Sequence, residues 1–192
     1  MEDKFSPQES LLLIQSMIER TKTNISENRF YFLVWGWLTF SAILLQFFLK
    51  VVMDYKHHYI VWLLMIIGIV LTIWKSRQED KEQGYRTYVG DSMGYLWLGI
   101  GISFFVLSII ITFSIGWFKA WPFFILFYGM GTFISGKLIQ FTPSIVGGII
   151  CWILAPIAIF VHYDYQLLIA AAAILCSYII PGYMIKPETN TR

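Results

Sequence analysis

Charge is scarce in this chain, at 14% of residues, and none of it falls in the middle of an apolar run. An ionisable group inside a bilayer is costly and usually marks a proton relay or ion path. The sequence offers no such group: Lys137 lies near the end of a run, and Asp54, Asp91 and Asp164 fall in connections or at run ends. Without a mid-run aspartate, the chemistry of two-aspartate intramembrane proteases is disfavoured. Nucleotide and zinc-protease signatures are missing too, as are the serine-hydrolase Gly-x-Ser-x-Gly and the redox Cys-x-x-Cys. No enzyme activity and no cofactor are expected. A formal charge of +2 is too small to argue for nucleic acid. The two cysteines, Cys151 and Cys176, both sit in apolar runs and read as buried free thiols rather than a disulfide.

What the chain has in abundance is apolar length, with 57% hydrophobic residues over 192 positions. A bilayer core about 30 Å thick takes about 20 mostly apolar helical residues to cross, because lipid satisfies no exposed backbone amide. Six runs qualify as expected spans: 30–49, 59–74, 95–115, 120–139, 143–161 and 165–185. The second is short, but His57, His58 and Lys75 at its ends belong in the headgroup layer. The fold class expected is therefore an all-α membrane protein. Residues 1–29 form a cytoplasmic amphipathic helix, 30–186 a six-span bundle laid out as three tandem hairpins, and 187–192 a cytoplasmic tail. Such N-in hairpins make a parallel repeat, not the inverted one of many secondary transporters.

Orientation follows from the distribution of Lys and Arg. Lys4, Arg20, Lys22, Arg29, Lys75, Arg77, Lys81, Arg86, Lys137, Lys186 and Arg192 fall on one side of the six runs, against Lys50, Lys56 and Lys119 on the other. Eleven against three puts both termini in the cytoplasm. The amino-terminal segment is polar and lacks a small-residue cleavage site, so the first span is expected to act as its own insertion signal.

Before that span, Ser6-Pro7-Gln8-Glu9 reads as a capping box with proline in the first helical position. Leu11, Ile14, Met17, Ile18 and Ile25 then recur at helical spacing. The stripe formed by Leu11, Ile14 and Ile18 has two readings. It either packs on the protein's own cytoplasmic face and the lipid interface, or enters a groove on a cytoplasmic protein or a second copy. After the second span a solvated extension is expected to about Gln83, with a Lys75–Glu79 pair and Gly84 as its stop.

Small residues nominate the helix contacts: Gly99 with Ser103, Gly131 with Ser135, and Gly147 with Gly148. Spacing of four lets backbones approach where lipid supplies no hydrophobic drive. Pro156 is expected to kink the fifth span, Thr142 to cap it, and Pro181-Gly182 to bend or end the sixth. Trp37, Trp74, Trp97, Trp117 and Trp121 fit interfacial belts. Gln46, Thr39, Ser41, Ser103, Ser108, Thr112 and Thr132 either line a polar path or bond to nearby carbonyls. His57, His58 and His162 share the outer side with Asp54 and Asp164, a donor set suited to zinc or copper. Adjacent histidines lack the spacing that aims both at one ion, so no metal is expected.

The segments Leu12–Glu19, Phe32-Leu33-Val34-Trp35-Gly36-Trp37 and Ile179-Ile180-Pro181-Gly182-Tyr183 resemble those of small bacterial multi-pass inner-membrane proteins to which no activity is assigned. The resemblance implies the bacterial plasma membrane, and a sensory or stress-response setting beside a small winged-helix regulator. The function expected is a non-enzymatic interaction or sensory protein in the lipid bilayer. The competing expectation is a transporter or channel for a small neutral or apolar solute, with a path between spans three, four and five. Lipid chemistry at converging outer histidines is a third.

Overall fold

The computed structural model describes residues 28–83 and 88–185. Leu11, Ile14 and Ile18, the capping box, Gly84 and the tail lie outside them. The described residues form six helices and no strand. Helix α1 covers Asn28–Val52 and ends in a π-turn, Phe48–Val52. Helix α2 opens as a 3₁₀ segment, His58–Leu63, and continues as Leu64–Gln83. Helix α3 is Tyr88–Ile110, again closed by a π-turn, Ile111–Ile115. Helices α4 (Trp121–Leu138) and α5 (Thr142–Ile159) form a short-turned antiparallel pair. Helix α6 covers Tyr163–Met184 with a π-turn at Leu175–Ile179.

Five of these, all but α4, are long and apolar enough to cross a membrane. The architecture is that of an all-α multi-pass membrane protein. Helix α4 falls short in composition because its 18 residues include Trp121, Pro122, three glycines and Lys137. Large side chains crowd the outside of the bundle, with Phe113 85% and Phe160 89% exposed. Apolar surface on that scale would be untenable in water and is ordinary in lipid.

Close backbone approach builds the centre. A Cβ on Gly148 of α5 would lie 2.7 Å from the Gly129 carbonyl oxygen and the Phe133 amide of α4, and one on Gly136 of α4 would lie 2.7 Å from the Ile145 amide. Gly147 meets α6 as closely, with Ser177 Cα at 2.6 Å. Dispersion and shape drive such seams, since lipid tails are as apolar as leucine. Helix α1 then leans on α6, where Gly36 faces Tyr178 and Gly182 faces Leu33. Helix α3 leans on α4 by laying Trp97 and Ile100 over Gly131. Helix α2 is outermost, touching α1 where Gly68 meets Leu38 and Trp35.

Several local expectations change. Phe141, not Thr142, occupies the cap position of α5, and no side chain caps it. Pro143 within the first turn covers part of that need, since its missing N–H is one that an N-terminus leaves unpaired anyway. Helix α6 does not stop at Pro181 but continues to Met184. The π-turn immediately before the proline widens the helix where the ring would crowd the preceding turn. Trp121 is buried against Trp62 and Phe124, and Trp97 turns inward against Tyr178, with ring centroids 5.7 Å apart. The Lys75–Glu79 pair is present at 3.5 Å.

Candidate functional site

Two places hold polar groups in number: the bundle's middle and the end where α1 closes and α6 opens. Along α3 and α4, hydroxyls turn to their own helices. Ser103 donates to the Gly99 carbonyl at 2.8 Å, Ser108 to Phe104 at 2.8 Å, Thr112 to Ser108 at 2.7 Å and Thr132 to Tyr128 at 2.7 Å. Ser144 crosses between helices, donating to the Thr132 carbonyl at 2.9 Å. Thr39, Ser135 and Ser177 are buried as well, and Phe32, Trp97 and Tyr128 surround the buried Tyr178 ring with centroids 5.5, 5.7 and 5.8 Å away. A cavity of about 10 Å³ remains between α1, α4 and α6, lined by Ile43, Ile125, Tyr128, Ala170, Ala173 and Ile174 among others. That is room for about one water, behind an apolar wall that gives it no partner.

The nominated packing residues divide. Gly131 is buried where α3 crosses α4, Gly148 in the α4–α5 seam and Gly147 in the α5–α6 seam, and Ser135 is buried on α4. Gly99 is not brought to any seam: a Cβ there would meet nothing within 4 Å, and the hydroxyl of Ser103 is spent on the Gly99 carbonyl. Spacing identified both kinds of site equally. What differs is the face of α3 that meets α4, which Trp97, Ile100 and Phe104 define by bulk.

The second place is a network spanning three helices. Lys50, carried on the π-turn of α1, donates to Asp164 in the first turn of α6 and lies 4.0 Å above the Tyr163 ring. The stem of the lysine covers apolar surface while its ammonium reaches the carboxylate. His162 Nδ1 is 3.4 Å from the other oxygen of Asp164. One turn before Lys50, the buried Gln46 accepts from Trp62 Nε1 at 2.7 Å and meets His58 Nδ1 at 3.2 Å. Gln166, also buried, donates to the Phe118 and Val161 carbonyls at 3.3 and 3.0 Å, tying the α3–α4 and α5–α6 connections together.

The three histidines do not converge. His57 turns to the Tyr59 hydroxyl at 2.8 Å, His58 to Gln46 and His162 to Asp164. Among the described residues no group of His, Cys, Asp or Glu is arranged to hold a metal ion. Both cysteines are free, Cys151 buried and Cys176 half-buried.

Sequence reasoning placed Gln46 among polar path candidates and missed its partners. A signal was available: Gln46 and Lys50 are four apart at the end of one apolar run, and His58 and Trp62 four apart at the start of the next. Four-residue spacing puts each pair on one helical face.

No family model matches the chain, and no curated protein or solved structure is significantly similar to it. Any functional argument therefore rests on the residues themselves.

Proposed function

We propose that this is a six-span protein of the bacterial plasma membrane, with both termini cytoplasmic, that works by interaction rather than catalysis. In this reading the Leu11, Ile14 and Ile18 face of the amino-terminal segment docks a cytoplasmic protein or a second copy, and the bundle is its membrane-bound, sensory platform. The observation that carries it is the tightly packed interior. Glycine seams bring α4, α5 and α6 to backbone contact, the hydroxyls of Ser103, Ser108, Thr112 and Thr132 are turned back onto carbonyls, and the small cavity between α1, α4 and α6 is apolar. A transport path between α3, α4 and α5 would have to displace Trp97 and Ile100 from Gly131.

The sixth crossing rests on α4. It pairs with α5 from the Gly136–Ile145 contact to the Gly129–Trp152 contact, so a bilayer that contains α5 contains α4 at the same depth. With six crossings the lysine and arginine bias places both ends of the chain inside.

The test is a pull-down of the tagged protein from mild detergent, wild type against Ile14→Glu, with co-purified proteins and lipids identified by mass spectrometry. A protein lost only from the variant is the expected result. Identical protein partners in both would count against the docking face, and a retained small molecule without a protein would favour transport or lipid handling.

A further inference from the structure

The network around Gln46 fixes the proton on His58. Trp62 Nε1 is a donor and nothing else, so the Gln46 atom 2.7 Å from it must be the carbonyl oxygen. That orientation turns the Gln46 amide nitrogen, which only donates, toward His58 Nδ1 at 3.2 Å. Nδ1 must therefore carry no proton, leaving a neutral imidazole with its hydrogen on Nε2. An imidazolium has N–H on both nitrogens, and would set donor against donor at this contact.

The charges facing this ring are Lys50 from α1 and Asp164 from α6. They oppose each other in sign and are already paired. Tyr163 of α6 places its hydroxyl beside Gln46, and α4 contributes Trp121, whose ring lies 5.7 Å from that of Trp62. On the histidine's own segment, His57 is turned to Tyr59 and Lys56 is exposed. The acceptor requirement at Nδ1 is thus the feature that distinguishes the two protonation states.

We propose that the Trp62–Gln46–His58 chain is a proton-sensitive joint, closed while His58 is neutral and opened when the imidazole takes up a second proton. Its mechanical consequence follows from the position of α2. Only 11% of the apolar stretch of α2 is buried, against 56% for α6, and apart from the Trp62–Trp121 contact the bonds and packing shown for that helix are to α1. Opening the joint frees the end of α2 nearest the α1–α2 connection. The joint does not depend on the docking reading above; only the compartment whose acidity it senses, the outer one, depends on the proposed topology.

A contact made by neutral imidazole alone stabilises the fold above the titration range of histidine, about pH 6.5 for a free side chain, and is lost below it. The first measurement is on the full chain in detergent micelles labelled with ¹⁵N in the histidine rings. Ring-nitrogen shifts at pH 7.5, assigned to His58 by comparison with His58→Asn, should show the proton on Nε2; a proton on Nδ1 overturns the proposal. The second is the change in melting temperature between pH 7.5 and pH 5. Asn at 58 keeps an acceptor that cannot titrate, so the wild type should lose about 2–4 °C more than His58→Asn, the shift that one lost contact makes in a chain of this size. Gln46→Glu, whose carboxylate accepts from both neighbours, should reverse the sign of that difference. Equal losses in wild type and His58→Asn would overturn the joint even if Gln46→Glu fails to fold.

Discussion

Gly148 of α5 faces the backbone of Phe133 in α4 so closely that a single added carbon would sit 2.7 Å from its amide nitrogen. Backbone cannot swing aside as a long side chain can, so the seam tolerates only hydrogen there.

Gly148→Ala should therefore destabilise the bundle by about 1–3 kcal/mol, the range for overpacking a close-packed interior. Gly99→Ala is the matched control, because its added carbon meets nothing within 4 Å. That variant should be neutral or stabilising by up to about 1 kcal/mol, the helix-propensity difference between glycine and alanine. Thermal unfolding of both in one detergent checks the pair, and equal losses would contradict the seam.

The contrast between those glycines shows what the sequence could and could not reveal. Helix existence was legible from apolar length, and the Lys75–Glu79 pair from spacing along one helix, because both depend on local geometry. Which small-residue face meets a neighbour depends on how each helix is rotated in the bundle, and that is settled by distant bulk such as Trp97 on Gly131. The same applies to Trp121, which composition suits to an interface and packing buries. The Lys50–Asp164 contact joins residues 114 positions apart, beyond the reach of any local pattern. Pro181, expected to bend or end its helix, is followed by only three more helical residues, and the π-turn before it, Leu175–Ile179, is one that the sequence does not advertise.

The Lys50–Asp164 pair ties the end of α1 to the start of α6, with side chains 29% and 26% exposed. Partial solvation keeps the coupling modest, and a double-mutant cycle with Lys50→Met and Asp164→Asn should return about 1 kcal/mol. Exchanging the two charges, Lys50→Asp with Asp164→Lys, should restore most of what either single reversal loses. A coupling near zero would make the pair incidental.

Helix α2 is held to α1 by polar contacts on either side of the Gly68 approach. Trp35 donates to Thr72 Oγ1 at 3.0 Å, and Tyr31 to Glu79 Oε2 at 2.7 Å. Hydrogen bonds between membrane helices average about 0.6 kcal/mol. Thr72→Val, which keeps the shape and removes the acceptor, should cost about that much in unfolding measurements. It should also increase proteolysis near the α2–α3 connection, because so little of α2 is otherwise buried. A loss above about 2 kcal/mol would mean that Trp35 anchors more than one helix.

The crossing of α4 can be tested without disturbing the core. Its 18 residues rise about 27 Å, close to the hydrocarbon thickness, and Lys119 and Lys137 stand exposed near its two ends. In a background of Cys151→Ala and Cys176→Ala, single Lys119→Cys and Lys137→Cys variants should react with a membrane-impermeant maleimide from opposite sides. Lys119→Cys should label in intact cells and Lys137→Cys only in inverted vesicles. Labelling of both from one side would make α4 re-entrant, leave five crossings, and put the end of α6 on the opposite side of the membrane from the start of α1. The lysine and arginine bias would then lose its basis, because residues after α4 would be counted on the wrong face.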